Sequence, residues 1–325
     1  MSIVSENNKR DASELSNGSV KILKPAKASR LETSADTSVD EAHTSSRKAD
    51  DLTISRRLKF VAPPLQKPKR IPKARELGAI SLPDTLPNSL ATKFDGVSTF
   101  FAFDIETHDI IREETRVWSV GKYGFQSRVG SQTLETLRIV QIGWALGAVE
   151  DPMPQTFVRM VKPNGFKISQ EATSKHRILQ AEADTTGAAL ASALQDMMNS
   201  VRECCGQGAR LVAHQLEFDA GIIAEELGRC GLNDLKAYWE ETARKGICTM
   251  DPEIAVWIRE VNCIKDYRDD KPISPNVPLG LVDATRLLVP NSQSLCRQHH
   301  AADKDATMTW LLCRALAKRC PKPSE

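Results

Sequence analysis

An aromatic-rich apolar run that ends in two carboxylates one residue apart, Thr99 to Thr107 (TFFAFDIET), limits this chain more than anything else in it. Successive side chains on a strand point to opposite faces, so Asp104 and Glu106 share one face while Phe103 and Ile105 share the other. Such a strand seats its apolar part in a sheet and forces two like charges together at its end. Carboxylates a few ångströms apart repel each other, and a divalent cation held through oxygen ligands relieves the repulsion. The stretch is therefore a candidate metal site. A strand that simply runs out into solvent would end in the same way, so Asp-x-Glu decides nothing without distant partners.

A chain of 325 residues holds one or two domains. Its polar part is easy to find: from Met1 to about Asp95 the only aromatics are Phe60 and Phe94. A segment of that composition cannot bury enough apolar surface to offset its ordering entropy. Residues 1–95 are expected to be a disordered, basic and proline-bearing tail, and residues 96–320 a folded domain. Within the tail, Arg56 to Arg75 carries eight basic residues and no acidic one. It reads as a nuclear-import signal, a tether to nucleic-acid phosphates, or a solvated linker. The formal net charge of +2 does not by itself point to a polyanionic partner. No run approaches the roughly 18 apolar residues of a membrane helix, and the first residues lack the apolar core of a secretion signal. The expectation is an intracellular protein without a membrane partner, with nucleus and cytoplasm both open. Eight cysteines without a CxxC pair fit reduced thiols better than a disulfide framework or a zinc site.

After the opening strand, Leu137 to Gly147 and Thr156 to Val161 have strand length and composition, and turn signals between them suggest an antiparallel meander. Apolar residues then recur at helical spacing over Gly187 to Val201. A short strand follows at Ala209 to Ala213, and an amphipathic helix through Phe218, Ile222, Ile223 and Leu227 ends at Gly231. Another strand, Gly246 to Thr249, precedes helices through Val261, around Leu279 to Leu288, and from about Ala301 to Lys318. Strands followed by alternating helix and strand predict an α/β fold with a mixed sheet covered by helices.

Two later stretches supply the partners. In LVAHQLEFDAGII, Asp219 stands at the start of the amphipathic helix, where a carboxylate is also favoured simply as an N-cap. In CRQHHAADKDATMTW, His300 and Asp305 are five apart. Five steps of an unbroken helix turn the chain about 140°, so the two converge only if His300 lies on the loop before the helix. His299 with Asp303 is the competing register. FDIET, AHQLEFD and HAADKDA, in this order, resemble the three motifs of the DEDD 3′→5′ exonucleases, histidine branch, which have a ribonuclease H-like fold. IVQIGW, VKPNGFKISQEATSKHRI and ICTMD are similar to the same family, and the resemblance covers roughly residues 97 to 318.

The resemblance implies a five-stranded ribonuclease H-like sheet and hydrolysis of phosphodiester bonds at the 3′ end of single-stranded DNA or RNA, releasing nucleoside 5′-monophosphates. It implies two Mg²⁺ or Mn²⁺ ions held by Asp104, Glu106, Asp219 and Asp305, with His300 as general base. Thr107 and the backbone after Glu106 would line the pocket of the terminal nucleotide. The family's second motif usually has Asn where this chain has Gln215. His176 matches a histidine usual in the family, with no catalytic task assigned, and His214 reads as a packing residue at a strand end. The long segment His108 to Arg138 interleaves basic residues with Trp118, Tyr123 and Phe125, which suits a lid that grips a strand by stacking; a hairpin that packs its aromatics on the sheet would look the same. The alternative function is a nucleic-acid-binding or adaptor module on an inactive exonuclease fold.

Overall fold

The computed structural model describes residues 85–111, 119–127, 134–262, 267–268, 271–272 and 277–320. The expected tail up to residue 84, the basic stretch Arg56 to Arg75, and Trp118 lie outside them. Helix α1 (Asn88–Phe94) precedes β1 (Thr99–Thr107), which has the bounds its alternation predicts. A small hairpin, β2 (Ser119–Val120) and β3 (Gln126–Ser127), leads to the long strands β4 (Ile139–Ala148) and β5 (Gln155–Met160). Helices α2 (Gln170–His176), α3 (Gln180–Thr186) and α4 (Leu190–Gly206) come before strand β6 (Arg210–Ala213). Then follow α5 (Leu216–Arg229), α6 (Asn233–Arg244), β7 (Ile247–Cys248) and α7 (Pro252–Val261). A short pair, β8 (Tyr267–Arg268) and β9 (Lys271–Pro272), precedes α8 (Leu281–Leu288), α9 (Gln293–Cys296) and α10 (Ala302–Ala317).

Five strands form one sheet in the order β5-β4-β1-β6-β7. β1 pairs antiparallel with β4 and β4 antiparallel with β5, which is the expected meander, while β6 joins β1 and β7 joins β6 in parallel. Counted along the chain, the sheet reads 3-2-1-4-5, the ribonuclease H-like mixed arrangement. Both faces are covered. Phe101, Phe103 and Ile105 of β1 pack with α4, α5 and α6 through Leu194, Met197, Ile223 and Trp239. Phe100 and Ala102 face the other way, onto α1, α7 and α10 through Phe94, Ile258, Trp310 and Leu312. Period-2 alternation therefore splits one strand between two cores. Glu226, fully buried on α5, pairs with Arg138 at 2.8 Å and Arg229 at 3.1 Å and accepts the Ile139 N–H, tying α5 to the start of β4. Among the described residues no helix is long and apolar enough to cross a membrane.

Two expectations need correction. Leu86, Leu90 and Phe94 are buried in the core that holds α10, so the folded domain reaches back to Leu86 instead of starting at residue 96. Their spacing of four is helical, but the polar residues around them outweigh it in any compositional reading. Tyr123 is not a stacking platform either: it is buried, its hydroxyl donates to the Ala220 carbonyl at 3.4 Å, and its N–H donates to the Glu217 carboxylate at 3.0 Å. Gly121 packs so close to Glu217 that an added Cβ would lie 2.3 Å from it. The hairpin is thus clamped onto the Glu217 side of α5, and Asp219, two positions on, points about 200° around the helix from it.

Candidate active site

The acidic groups reach one cleft of about 500 Å³ by three routes. Asp104 and Glu106 continue the face of β1 that begins with Phe100 and Ala102. β1 and β6 stay paired only as far as Ala102 and Val212, and the chains part beyond that point. Asp219 fills the opening from the first turn of α5, and its carboxylate takes a hydrogen bond from the Ile105 backbone. Asp219 is not the N-cap: α5 begins at Leu216, and the N-cap position is held by Gln215, whose side chain makes no capping hydrogen bond. Gln215 has φ 73°, a left-handed conformation that asparagine adopts more readily than other side chains bearing a Cβ. Gln215→Asn is therefore expected to raise the stability of the domain by roughly 0.5–1 kcal/mol, measured as a shift of the denaturant midpoint. An unchanged or lower midpoint would show that this backbone is held without strain.

Asp305 arrives from the first turn of α10. One of its oxygens, Oδ2, accepts the backbone N–H of His300 at 3.1 Å; the other, Oδ1, is buried without a hydrogen-bond partner. His300 lies outside the helix with φ 65°, and that bend lets residues five apart converge. Glu106, His300 and Asp305 each offer a ligand atom, all within 4.8 Å of one another. The competing register is not assembled: Asp303 pairs with Lys304 at 2.7 Å, and His299 Nδ1–H donates to the Cys296 carbonyl.

The residues that bring α10 this close were not singled out from the sequence. On the face of β4 toward α10 stand Gln141, Gly143, Ala145 and Gly147. In the β1–β4 register Asp104 lies opposite Gly143 and Glu106 opposite Gln141. Gln141 Oε1 accepts the Ala302 N–H at 2.9 Å and pins the first residue of the helix. A Cβ on Gly143 would lie 2.1 Å from the Ala302 backbone. Farther along, Trp310 Nε1 donates to the Gly147 carbonyl at 3.1 Å. The alternation of small residues in IVQIGWALGA was the available signal.

Crowding sets the electrostatics. Burial first, then the charges of Asp219, Asp305 and Glu106, hold Asp104 well above the usual carboxylate range. Burial and then the charges of Glu106 and Asp305 do the same to Asp219. Burial, reinforced by Asp305, pushes Glu106 up to about 8. Burial also raises Asp305 to about 7, against the stabilising His300 N–H. Burial, with the charges of His299, Lys175 and His176, lowers His300 to about 4. A dense set of carboxylates with a buried unpartnered oxygen fits a hard divalent cation bound through oxygen.

His214 and His176 act as joints. His214 Nδ1 meets the Thr249 hydroxyl at 2.8 Å, and His176 Nε2 meets the Thr107 carbonyl at 3.2 Å. The Thr107 hydroxyl donates to the Asp109 carbonyl. Phe218, Met250 and Leu281 give the cleft an apolar wall beside its acidic floor. A larger cavity of about 620 Å³ lies at the opposite end of β1, beside Thr99, but none of the clustered acids lines it.

Fold and site together define an α/β domain of ribonuclease H-like architecture with an acidic, imidazole-flanked centre. No protein-family model matches the chain, and no curated protein matches it. Among solved structures it is similar to exonuclease I of E. coli. For the zinc-bound complex of that enzyme with single-stranded DNA, identity is 16%, coverage 70% of this chain and 42% of the other, and the TM-score 0.49. For the complex with a dT13 oligonucleotide the figures are 16%, 67%, 40% and 0.48. The chain thus spans about two fifths of the length of that protein. Similarity this distant assigns no activity, and the chemistry has to come from the chain's own side chains.

Proposed function

We propose that the protein is a metal-dependent 3′→5′ exonuclease that releases nucleoside 5′-monophosphates from single-stranded nucleic acid. The observation that carries the reading is that Asp104, Glu106, Asp219, Asp305 and His300, drawn from three distant stretches, meet in one cleft. The polarity rests on the resemblance of FDIET, AHQLEFD and HAADKDA to the exonuclease motifs. Two Mg²⁺ or Mn²⁺ ions held by the four carboxylates would supply an activated water and shield charge at phosphorus. His300 is the proton acceptor: its ring stands with Glu106 and Asp305 in the cleft, and its backbone bond to Asp305 fixes its place there. The wall of Phe218, Met250 and Leu281 receives the terminal nucleoside; Thr107 follows Glu106 just outside the residues that line the cleft.

Matched 3′-labelled and 5′-labelled DNA and RNA strands, incubated with Mg²⁺, test the proposal. Mononucleotides should appear first from the 3′ label, and Asp104→Ala should give none. A wild type that binds strands but never shortens them would leave the protein a binding module.

A further inference from the structure

The carboxylates and the cations proposed to sit among them would act on the scissile phosphate, and the strand leading to it needs a grip outside the cleft. Helix α2 is placed for that. Its N-cap Ser169 donates its N–H to the His108 carbonyl at 2.7 Å, and at its other end His176 bonds the Thr107 carbonyl. His176 Nδ1 accepts the Ile178 N–H at 3.0 Å, so Nε2 carries the proton and donates to Thr107. The helix is thereby moored to the two residues that follow Glu106. Its end carries Lys175 and Arg177, both exposed and without a carboxylate partner among the described residues. Lys175 is close enough to His300 for its charge to bear on that ring.

Arg177 holds φ 65°. Helices commonly end in this left-handed conformation, and glycine is the residue that enters it freely, whereas a side chain meets steric resistance. Cations at a helix C-terminus are favoured by the helix dipole, which accounts for the sign of the charge. It does not account for a guanidinium standing on a backbone that glycine would suit better. Strain kept beside a functional cleft points to a use for the side chain.

We propose that Lys175 and Arg177 form a phosphate subsite that grips the phosphodiester backbone on the 5′ side of the scissile bond and holds the 3′ end over the carboxylates. This rests on the exonuclease reading above and adds to it where the strand enters. Lys175→Ala and Arg177→Gly, each in full-length protein carrying Asp104→Asn to prevent cleavage, test it. The readout is fluorescence anisotropy of a 5′-labelled oligothymidylate across roughly 50–200 mM salt. Each substitution should weaken binding about three- to tenfold and lower the slope of log affinity against log salt by about 0.7. Arg177→Gly should at the same time raise the thermal midpoint by roughly 2–4 °C, so that the better-folded protein binds worse. Lys245→Ala, which removes a charge paired with Glu241 on α6, should change neither affinity nor slope. Affinity and slope equal to the parent in both variants would overturn the subsite and leave the exonuclease proposal standing. A parent that binds no strand at all would overturn both.

Discussion

Asp104→Asn is expected to cut turnover by about 10⁴-fold or more and, at pH 8 in chelator, to make the protein more stable than wild type. The two effects have one cause. Four carboxylates share a cleft in which burial raises all of their pKa values, and repulsion from the other members adds to it at Asp104, Glu106 and Asp219. A carboxylate whose folded pKa exceeds its unfolded one contributes stability that is full below the unfolded value and lost as pH climbs to the folded one. For Glu106 and Asp305 that loss runs from their ordinary values of 4.5 and 3.8 up to about 8 and about 7. His214 and His300, both depressed to about 4, act in the opposite sense: their contribution is lost as pH falls from 6.5 toward 4. Above 6.5 only the carboxylates remain, so the clean window is pH 6.5 to 8.

In that window the chelated wild type should lose thermal stability steadily. Glu106→Gln should flatten the loss, and added Mg²⁺ should abolish it by neutralising the crowd. Asp104→Asn should gain less from Mg²⁺ than wild type does. Melting curves at several pH values, with and without chelator, check all of this together. A wild-type profile that is flat in chelator from pH 6.5 to 8 would mean the carboxylates are not crowded in solution.

Gly143→Ala should be nearly as damaging to activity although it touches no reacting group. The added methyl would lie 2.1 Å from the Ala302 carbonyl carbon and 2.3 Å from the Asp303 nitrogen, and both are backbone atoms that cannot swing aside. The start of α10 has to lift off β4, breaking the Gln141 bond and carrying Asp305 and His300 away from Asp104 and Glu106. A misplacement of about 1 Å at such a centre costs on the order of 10²-fold in rate, and overpacking adds about 1–3 kcal/mol of lost stability. Rates under saturating strand, with a melting curve, separate the two. Near-normal turnover would show that α10 has slack the close packing does not suggest.

Much of the domain was legible along the chain. The bounds of β1, the meander and the helices carrying Asp219 and Asp305 follow from period-2 and period-3.6 spacing, because each element buries a face of its own. Helix α1 was hidden by the polar residues around Leu86, Leu90 and Phe94, whose partners on α10 lie more than two hundred positions away. Between stacking and packing, spacing does not choose for Tyr123, because an aromatic among basic residues looks the same whether it stacks on a base or fills a core. What distinguishes the two is the Glu217 carboxylate beneath it, which no local pattern announces.

Residue spacing by itself determined that Asp104 and Glu106 share a face and must be crowded, since alternation and like charge are properties of adjacent positions. It also determined that His300 could meet Asp305 only from outside a helix. Only the tertiary structure decided that the crowd has four members, because Asp219 and Asp305 approach through the parting of β1 from β6 and through the small-residue face of β4. Distance between elements is set by packing, and packing is a property of surfaces that the chain brings together only once it has folded.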